Sequence, residues 1–185
     1  MAKKIAIVQF SSRKNGNCSH ISEHISEYYS AESVTQFVVD DNVVHACNDC
    51  DYECLRPEKR CPQSNDAHDQ IMETICNADL VYFIVPNYCG YPCANYFIFN
   101  ERSVGYFNLD RALMQKYMNI PKRFIVISNT EGENFVNAMK QQVVGEPEIL
   151  YLKTGKYHKR SIAGDLMDSA EANADLEAFL KSHAL

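Results

Sequence analysis

The sequence predicts an α/β protein, a five-stranded parallel sheet with helices on both faces. Two observations predict it. Short β-branched apolar runs alternate five times with stretches whose apolar residues recur three or four apart. The runs are also apolar throughout instead of at alternate positions, as strands covered on both sides must be. Such alternation is the mark of crossover units, which lay parallel strands side by side.

The elements follow in order. Residues 4–10, KIAIVQF, make the first strand. A polar, glycine-containing stretch, 11–17, opens a helix marked by Ile21, Ile25 and Tyr28, with Asn17 or Ser19 placed to cap it. Residues 34–39 read as a second strand, and 66–78, with Ile71 and Ile75 four apart, as a helix. The third strand is LVYFIV, residues 80–85, closed by Pro86. Residues 95–117 read as a helix broken near Gly105. A fourth strand at 123–127, a helix at 134–144, a fifth strand at 148–152 and a helix at 170–180 complete the chain. Residues 40–65 show no periodicity, and loops of that length in compact domains are usually functional.

At 185 residues the chain suits one compact domain, residues 1–185, without disulfide staples. The net charge of −6 repels phosphate backbones, and no basic stripe carries interleaved aromatics, so nucleic acid is not an expected partner. The run from Ile5 to Phe10 is too short for a secretion signal, and no stretch reaches the length of a membrane span. A cytoplasmic location is expected, where thiols stay reduced, so the eight cysteines need another explanation.

The loop after the first strand, SSRKNGNCS, lies where an alternating parallel sheet binds ligands, outside the carboxyl ends of its strands. Main-chain N–H groups and the dipole of the helix it opens favour an anion. Ser11, Asn15, Asn17 and Ser19 add donors, Arg13 adds a fork suited to phosphate, and Gly16 allows a close turn. The loop lacks both the Walker lysine pattern and the spaced glycines of a dinucleotide turn. It reads as a mononucleotide phosphate site, or else as a capped surface loop.

FSSRKNGNC, residues 10–18, resembles the phosphate loop GSxRxxGN[ST] of the NADPH-dependent FMN reductase family. VPNYCGYPCANYFIFNER, residues 85–102, resembles that family's SPxYxxxxSxxLKxFxDR segment without a gap, matching at Pro86, Tyr88 and Arg102. The resemblance implies a flavodoxin-like three-layer fold with strand order 2-1-3-4-5. It implies that Ser11, Arg13, Asn17 and Cys18 hold the FMN phosphate. Pro86, Asn87, Tyr88, Cys89 and Gly90 would line the isoalloxazine ring, with Tyr88 packed on it, and Ser128, Asn129, Thr130 and Glu131 would approach its pyrimidine edge. Phe10, Cys18 and Phe97 stand where the family has glycine, Ser/Thr and lysine.

The implied activity is an FMN-dependent oxidoreductase that takes hydride from NAD(P)H and passes it to a small-molecule acceptor, in a dimer. No residue is expected to serve as an obligatory acid or base. A carrier exchanging electrons with a redox protein partner is the main alternative; a flavin-free zinc-binding relic is another.

Cys47, Cys50, Cys54 and Cys61 fall within fifteen residues of the long loop, here bounded at about 42–65. Four thiolates so close suit a [4Fe–4S] cluster or tetrahedral zinc, with free structural thiols as the plain alternative. Their position resembles the cysteine run of iron–sulfur flavoproteins, although three residues separate the second and third cysteines where that branch has two. Such a cluster would lie near the FMN edge. Cys89 and Cys93 suit small packing positions better than a redox pair. Cys18, at a helix start, is expected to have a lowered pKa.

Overall fold

A computed structural model describes residues 2–40, 43–47, 50–56, 58–130 and 132–182. Five parallel strands form the main sheet: β1 (Lys4–Gln9), β2 (Ser33–Val38), β3 (Leu80–Tyr88), β5 (Lys122–Ser128) and β6 (Glu148–Lys153). A short β4 (Tyr91–Pro92) pairs antiparallel with the end of β3. The order is β2-β1-β3-β5-β6, so the five predicted strands sit in the predicted flavodoxin-like sequence.

Alternation along the three central strands feeds two separate cores. Ala6, Val8, Val81, Phe83, Val85, Phe124 and Val126 point to one face. There they meet α2 (His68–Cys76), α3 (Ala94–Phe107), α4 (Arg111–Asn119) and α5 (Glu133–Lys140). Ile5, Ile7, Tyr82, Ile84, Ile125 and Ile127 point to the other, under α1 (Asn17–Tyr28) and α6 (Ala170–Lys181). With both faces covered, every position of β5 is buried, which is why these runs carry no polar alternation.

Three local expectations are corrected. Pro86 does not close β3: the strand runs on to Tyr88, with Pro86 opposite Ile127 of β5. The Ile84 carbonyl takes the Phe10 N–H, so Pro86, two residues on, has its missing N–H on the side where β1 has ended. Its carbonyl instead accepts the N–H of Cys93, at 3.1 Å. Beyond Tyr88 the chain folds straight back through Cys89 and Gly90, both at positive φ (53° and 87°), the geometry of a two-residue hairpin.

Gly105 does not break its helix. A Cβ there would stand 3.0 Å from the Cys61 Cβ and 3.6 Å from the Cys54 Cβ, so the bare position lets the cysteine loop lie on α3. The break comes at Asn108 and Leu109, which take positive φ, and Asp110 then caps α4 by accepting the Leu113 N–H. At α1 neither Asn17 nor Ser19 is the cap: the N-cap is Gly16, and no side chain among the described residues caps it.

Candidate functional site

The loops after β1 and β3 flank the point where strand order reverses. Between them lies a cleft of about 290 Å³ lined by Ser11, Arg13, Asn17, Cys18, Asn87 and Tyr88, among others. A larger cleft, about 380 Å³, opens at the other end of the sheet against Leu80, Pro121 and Lys122. It lies at the amino ends of the strands. Its buried amine, Lys122, donates to the Tyr117 carbonyl in the last turn of α4 and to the Ile120 carbonyl that follows, and burial lowers its pKa to about 8. That is a helix-end cap, whereas the first cleft lies at the carboxyl ends of the strands, where such sheets bind ligands.

One end of this cleft presents main-chain donors. The first helical bond of α1 runs from His20 to Gly16, so the N–H groups of Asn17, Cys18 and Ser19 precede the ladder and face outward. Ser11 is buried and its hydroxyl accepts the Arg13 N–H at 3.3 Å, which tightens the loop. Arg13 is exposed above it, one guanidinium nitrogen donating to the Ile162 carbonyl at 3.3 Å. Phe10 turns away into the core, 5.3 Å edge-to-face from Tyr96, so replacing glycine leaves the loop unobstructed.

Two phosphate-loop expectations change. Asn17 does not aim its side chain into the site: its Nδ2 donates to the Ser161 carbonyl and its Oδ1 accepts the Leu166 N–H. What it offers an anion is its main-chain N–H. Cys18 is buried, and desolvation, with Cys93 beside it, pushes its pKa up to about 12 in place of the lowered value expected at a helix start. It therefore lines the cleft as a neutral thiol. Asn15 presents its carbonyl to Gly164 and is not among the residues lining the cleft.

The other end is flat and half polar. Tyr88 is 61% exposed, while Asn87 beneath it is buried. The Asn87 Nδ2 donates to the Ser128 hydroxyl at 2.7 Å, and its Oδ1 is buried with no partner among the described residues. A ring N–H would satisfy that acceptor. Ser128 also accepts the Thr130 N–H, at 3.0 Å, while Asn129 reaches across to Ser161. Pro86 joins Asn129 in the lining; Cys89 and Gly90 form the hairpin tip beside it. Glu131 lies outside the described residues. The donor set at the loop and the orphaned Asn87 oxygen fit FMN.

A strap was not foreseen. Ser161 and Ile162 form part of the cleft wall, held by Arg13, Asn17 and Asn129, and His20 reaches the Gly164 carbonyl at 2.9 Å. Gly164 is bare because a Cβ would stand 2.8 Å from the Asn15 carbonyl oxygen. The one signal in the sequence is the long aperiodic interval between β6 and α6.

Cys47, Cys50, Cys54 and Cys61 do come together. All four line one small cavity of about 30 Å³, with Glu101, Arg102 and Gly105 of α3. The thiols ring this space without closing on it: among the described residues, no three His, Cys, Asp or Glu side chains are drawn in to hold a metal ion. Burial and neighbouring carboxylate or thiol groups raise the pKa of Cys47 and Cys54, so these sulfurs stand as neutral thiols. The cavity lies at Gly105, eleven residues along α3 from the hairpin end, about 16 Å at 1.5 Å per residue. Cys93 is buried, its thiol directed at the Phe10 carbonyl, which is the packing role.

No family model and no curated protein matches the chain. Solved structures match in fold. The Trp repressor binding protein from Bacillus subtilis has a TM-score of 0.64 at 16% identity, over 98% of this chain and 100% of its own. An azoreductase from Bacillus anthracis has a TM-score of 0.63 at 11% identity, over 98% of each chain. A flavoenzyme NAD(P)H:acceptor oxidoreductase from Paracoccus denitrificans has a TM-score of 0.58 at 14% identity, over 97% of this chain and 96% of its own. At these identities the likeness is one of fold. Among the described residues no helix is long and apolar enough to cross a membrane.

Proposed function

We propose that this chain is an FMN-binding, NAD(P)H-dependent oxidoreductase that hands reducing equivalents to a small-molecule acceptor. The observation that carries the reading is the single cleft joining an uncapped helix start beside Arg13 to the orphaned Asn87 oxygen beneath Tyr88. Similarity in fold to a flavoenzyme oxidoreductase and an azoreductase supports it.

Bound FMN would supply the hydride chemistry. The protein's part is to hold and orient. The N–H groups of residues 17–19 and the Arg13 guanidinium bind the phosphate dianion. Asn87, fixed by Ser128, presents an acceptor to a ring N–H, and the exposed Tyr88 offers a face for the ring to lie on. Among the described residues the lining includes no histidine or carboxylate to move a proton.

The test is anaerobic addition of NADH or NADPH to the FMN-loaded protein, followed by flavin absorbance. Bleaching by either nucleotide, with return of colour on adding a quinone, is the expected result. A protein that takes up no FMN would overturn the reading. Bound flavin untouched by both nucleotides would leave the electron-carrier alternative in its place.

The convergence of four cysteine side chains on one cavity favours a second assignment, a [4Fe–4S] cluster or a zinc ion held by Cys47, Cys50, Cys54 and Cys61. Anaerobic reconstitution with iron and sulfide should give a broad brown absorbance lost in Cys50→Ser. A spectrum that stays purely flavin-like, in protein that also retains no zinc, would leave four free thiols.

A further inference from the structure

Arg102 is among the largest fully buried side chains of the protein, 1% exposed, and it stands in the wall of the cysteine cavity. Its Nη1 donates to the His45 carbonyl at 2.8 Å and to Asp66 at 2.6 Å; its Nη2 donates to the Gln63 carbonyl at 2.9 Å. Asp66 is buried as well, and it also accepts the N–H groups of His45 and His68. This knot holds both ends of the cysteine loop, on either side of residues 47–61. The third donor group of the guanidinium, Nε–H, is buried and, among the described residues, meets no oxygen or nitrogen acceptor; Cys61 is the thiol against the guanidinium.

Pinning the loop uses only the two Nη groups, which also take the Asp66 carboxylate and leave the Nε side to the cavity. A leftover buried donor on a cation is costly unless a ligand meets it. The cavity supplies the place for one. The guanidinium is ion-paired with Asp66 at 2.6 Å and stands as a cation in the cavity wall beside the sulfurs. Four thiolates around a divalent ion or an iron–sulfur cluster leave a net negative charge, and their protons must go to solvent as the metal binds. A fixed guanidinium offsets that charge where water cannot.

We propose that Arg102 is the counter-charge of the Cys47, Cys50, Cys54 and Cys61 site, so that the cavity holds a soft, thiophilic metal centre as an anionic thiolate complex. The proposal rests on the cysteine assignment above and is independent of the flavin. It makes Arg102 a positioning residue, acting on the metal through the sulfurs. The sulfurs close on the centre as it binds, within a loop whose two ends Arg102 already holds.

The test is titration of the full-length, reduced chain with cobalt(II) under anaerobic conditions, read by the intense ligand-field bands of a tetrahedral thiolate complex. One cobalt per chain is expected, with the bands lost in Cys50→Ser. In the double variant Arg102→Met, Asp66→Asn, which leaves no buried charge unpaired, cobalt should bind at least about tenfold more weakly, with FMN affinity unchanged. Arg102→Lys keeps the charge and loses the fork, so it should restore most of that affinity. A lysine variant as weak as the double variant would show that Arg102 only pins the loop. Equal affinity in all forms would show that its charge is irrelevant. Either result overturns the counter-charge; absence of thiolate bands in the unaltered chain overturns the cysteine assignment itself. Should the double variant fail to fold, Arg102→Lys decides alone, wild-type affinity supporting the proposal and tenfold loss overturning it.

Discussion

The Asn17 side chain holds the main chain at Leu166: its Oδ1 accepts the Leu166 N–H at 3.0 Å while its Nδ2 donates to the Ser161 carbonyl at 3.1 Å. The first residue of α1 is thereby tied to the strap that precedes α6. The strap and the start of α1 are one unit, so the shape of the cleft depends on a contact between distant parts of the chain.

Truncating Asn17 tests this. Asn17→Ala strands a buried N–H and frees the strap, and should cost about 1–3 kcal/mol of stability in urea unfolding. FMN affinity should fall as well, because the cleft wall loosens. A variant as stable as the parent would mean the strap is held elsewhere.

Arg13→Ala leaves the fold intact, since Arg13 is exposed and makes one long bond to the strap. It removes a charge-assisted contact to the phosphate, so FMN should bind at least tenfold more weakly, about 1.4 kcal/mol. Quenching of flavin fluorescence measures this directly. The loss should shrink for riboflavin, which has no phosphate; an equal loss for both would place the phosphate elsewhere.

Cys18 should be unreactive in the native protein. With its pKa near 12, the thiolate fraction at pH 8 is on the order of one in ten thousand, and the side chain is buried besides. Iodoacetamide followed by peptide mass mapping should label the exposed Cys89 first and spare Cys18 until the chain unfolds. Labelling of both at one rate would contradict the packing described here.

Asp66→Asn should be among the most destabilising single changes, since it leaves the buried Arg102 cation unpaired, at a cost of about 3–5 kcal/mol. Burial alone would raise the Asp66 carboxyl. Hydrogen bonds from Arg102, His45 and His68 outweigh it and hold the pKa below the ordinary value. A carboxyl depressed in the folded state stabilises fully above its unfolded pKa, about 3.9, and loses that contribution as pH falls through the folded value. The gap between parent and variant should therefore be widest at neutral pH and close below about pH 4. A gap independent of pH would show that the charge is not what matters.

The sheet was legible because strands buried on two faces must be apolar throughout, and the alternation of runs is a local property; its order came from the resemblance to the FMN reductase family. Ser11, Arg13 and the opening of α1 were legible for the same reason, since a strand, a glycine turn and a helix start lie within a dozen residues. Pro86 misled because its cost depends on where β1 ends, which no neighbouring residue records. Gly105 misled because its reason is Cys61, more than forty residues away. The sequence by itself determined the layers, the loop after β1 that lines the cleft and the grouping of the four cysteines. Only the tertiary structure decided that Asn17 serves a strap, that burial overrides the helix start at Cys18, and that Arg102 faces the thiols. Each of these depends on desolvation or on a long-range partner, and both exist only once distant segments have packed.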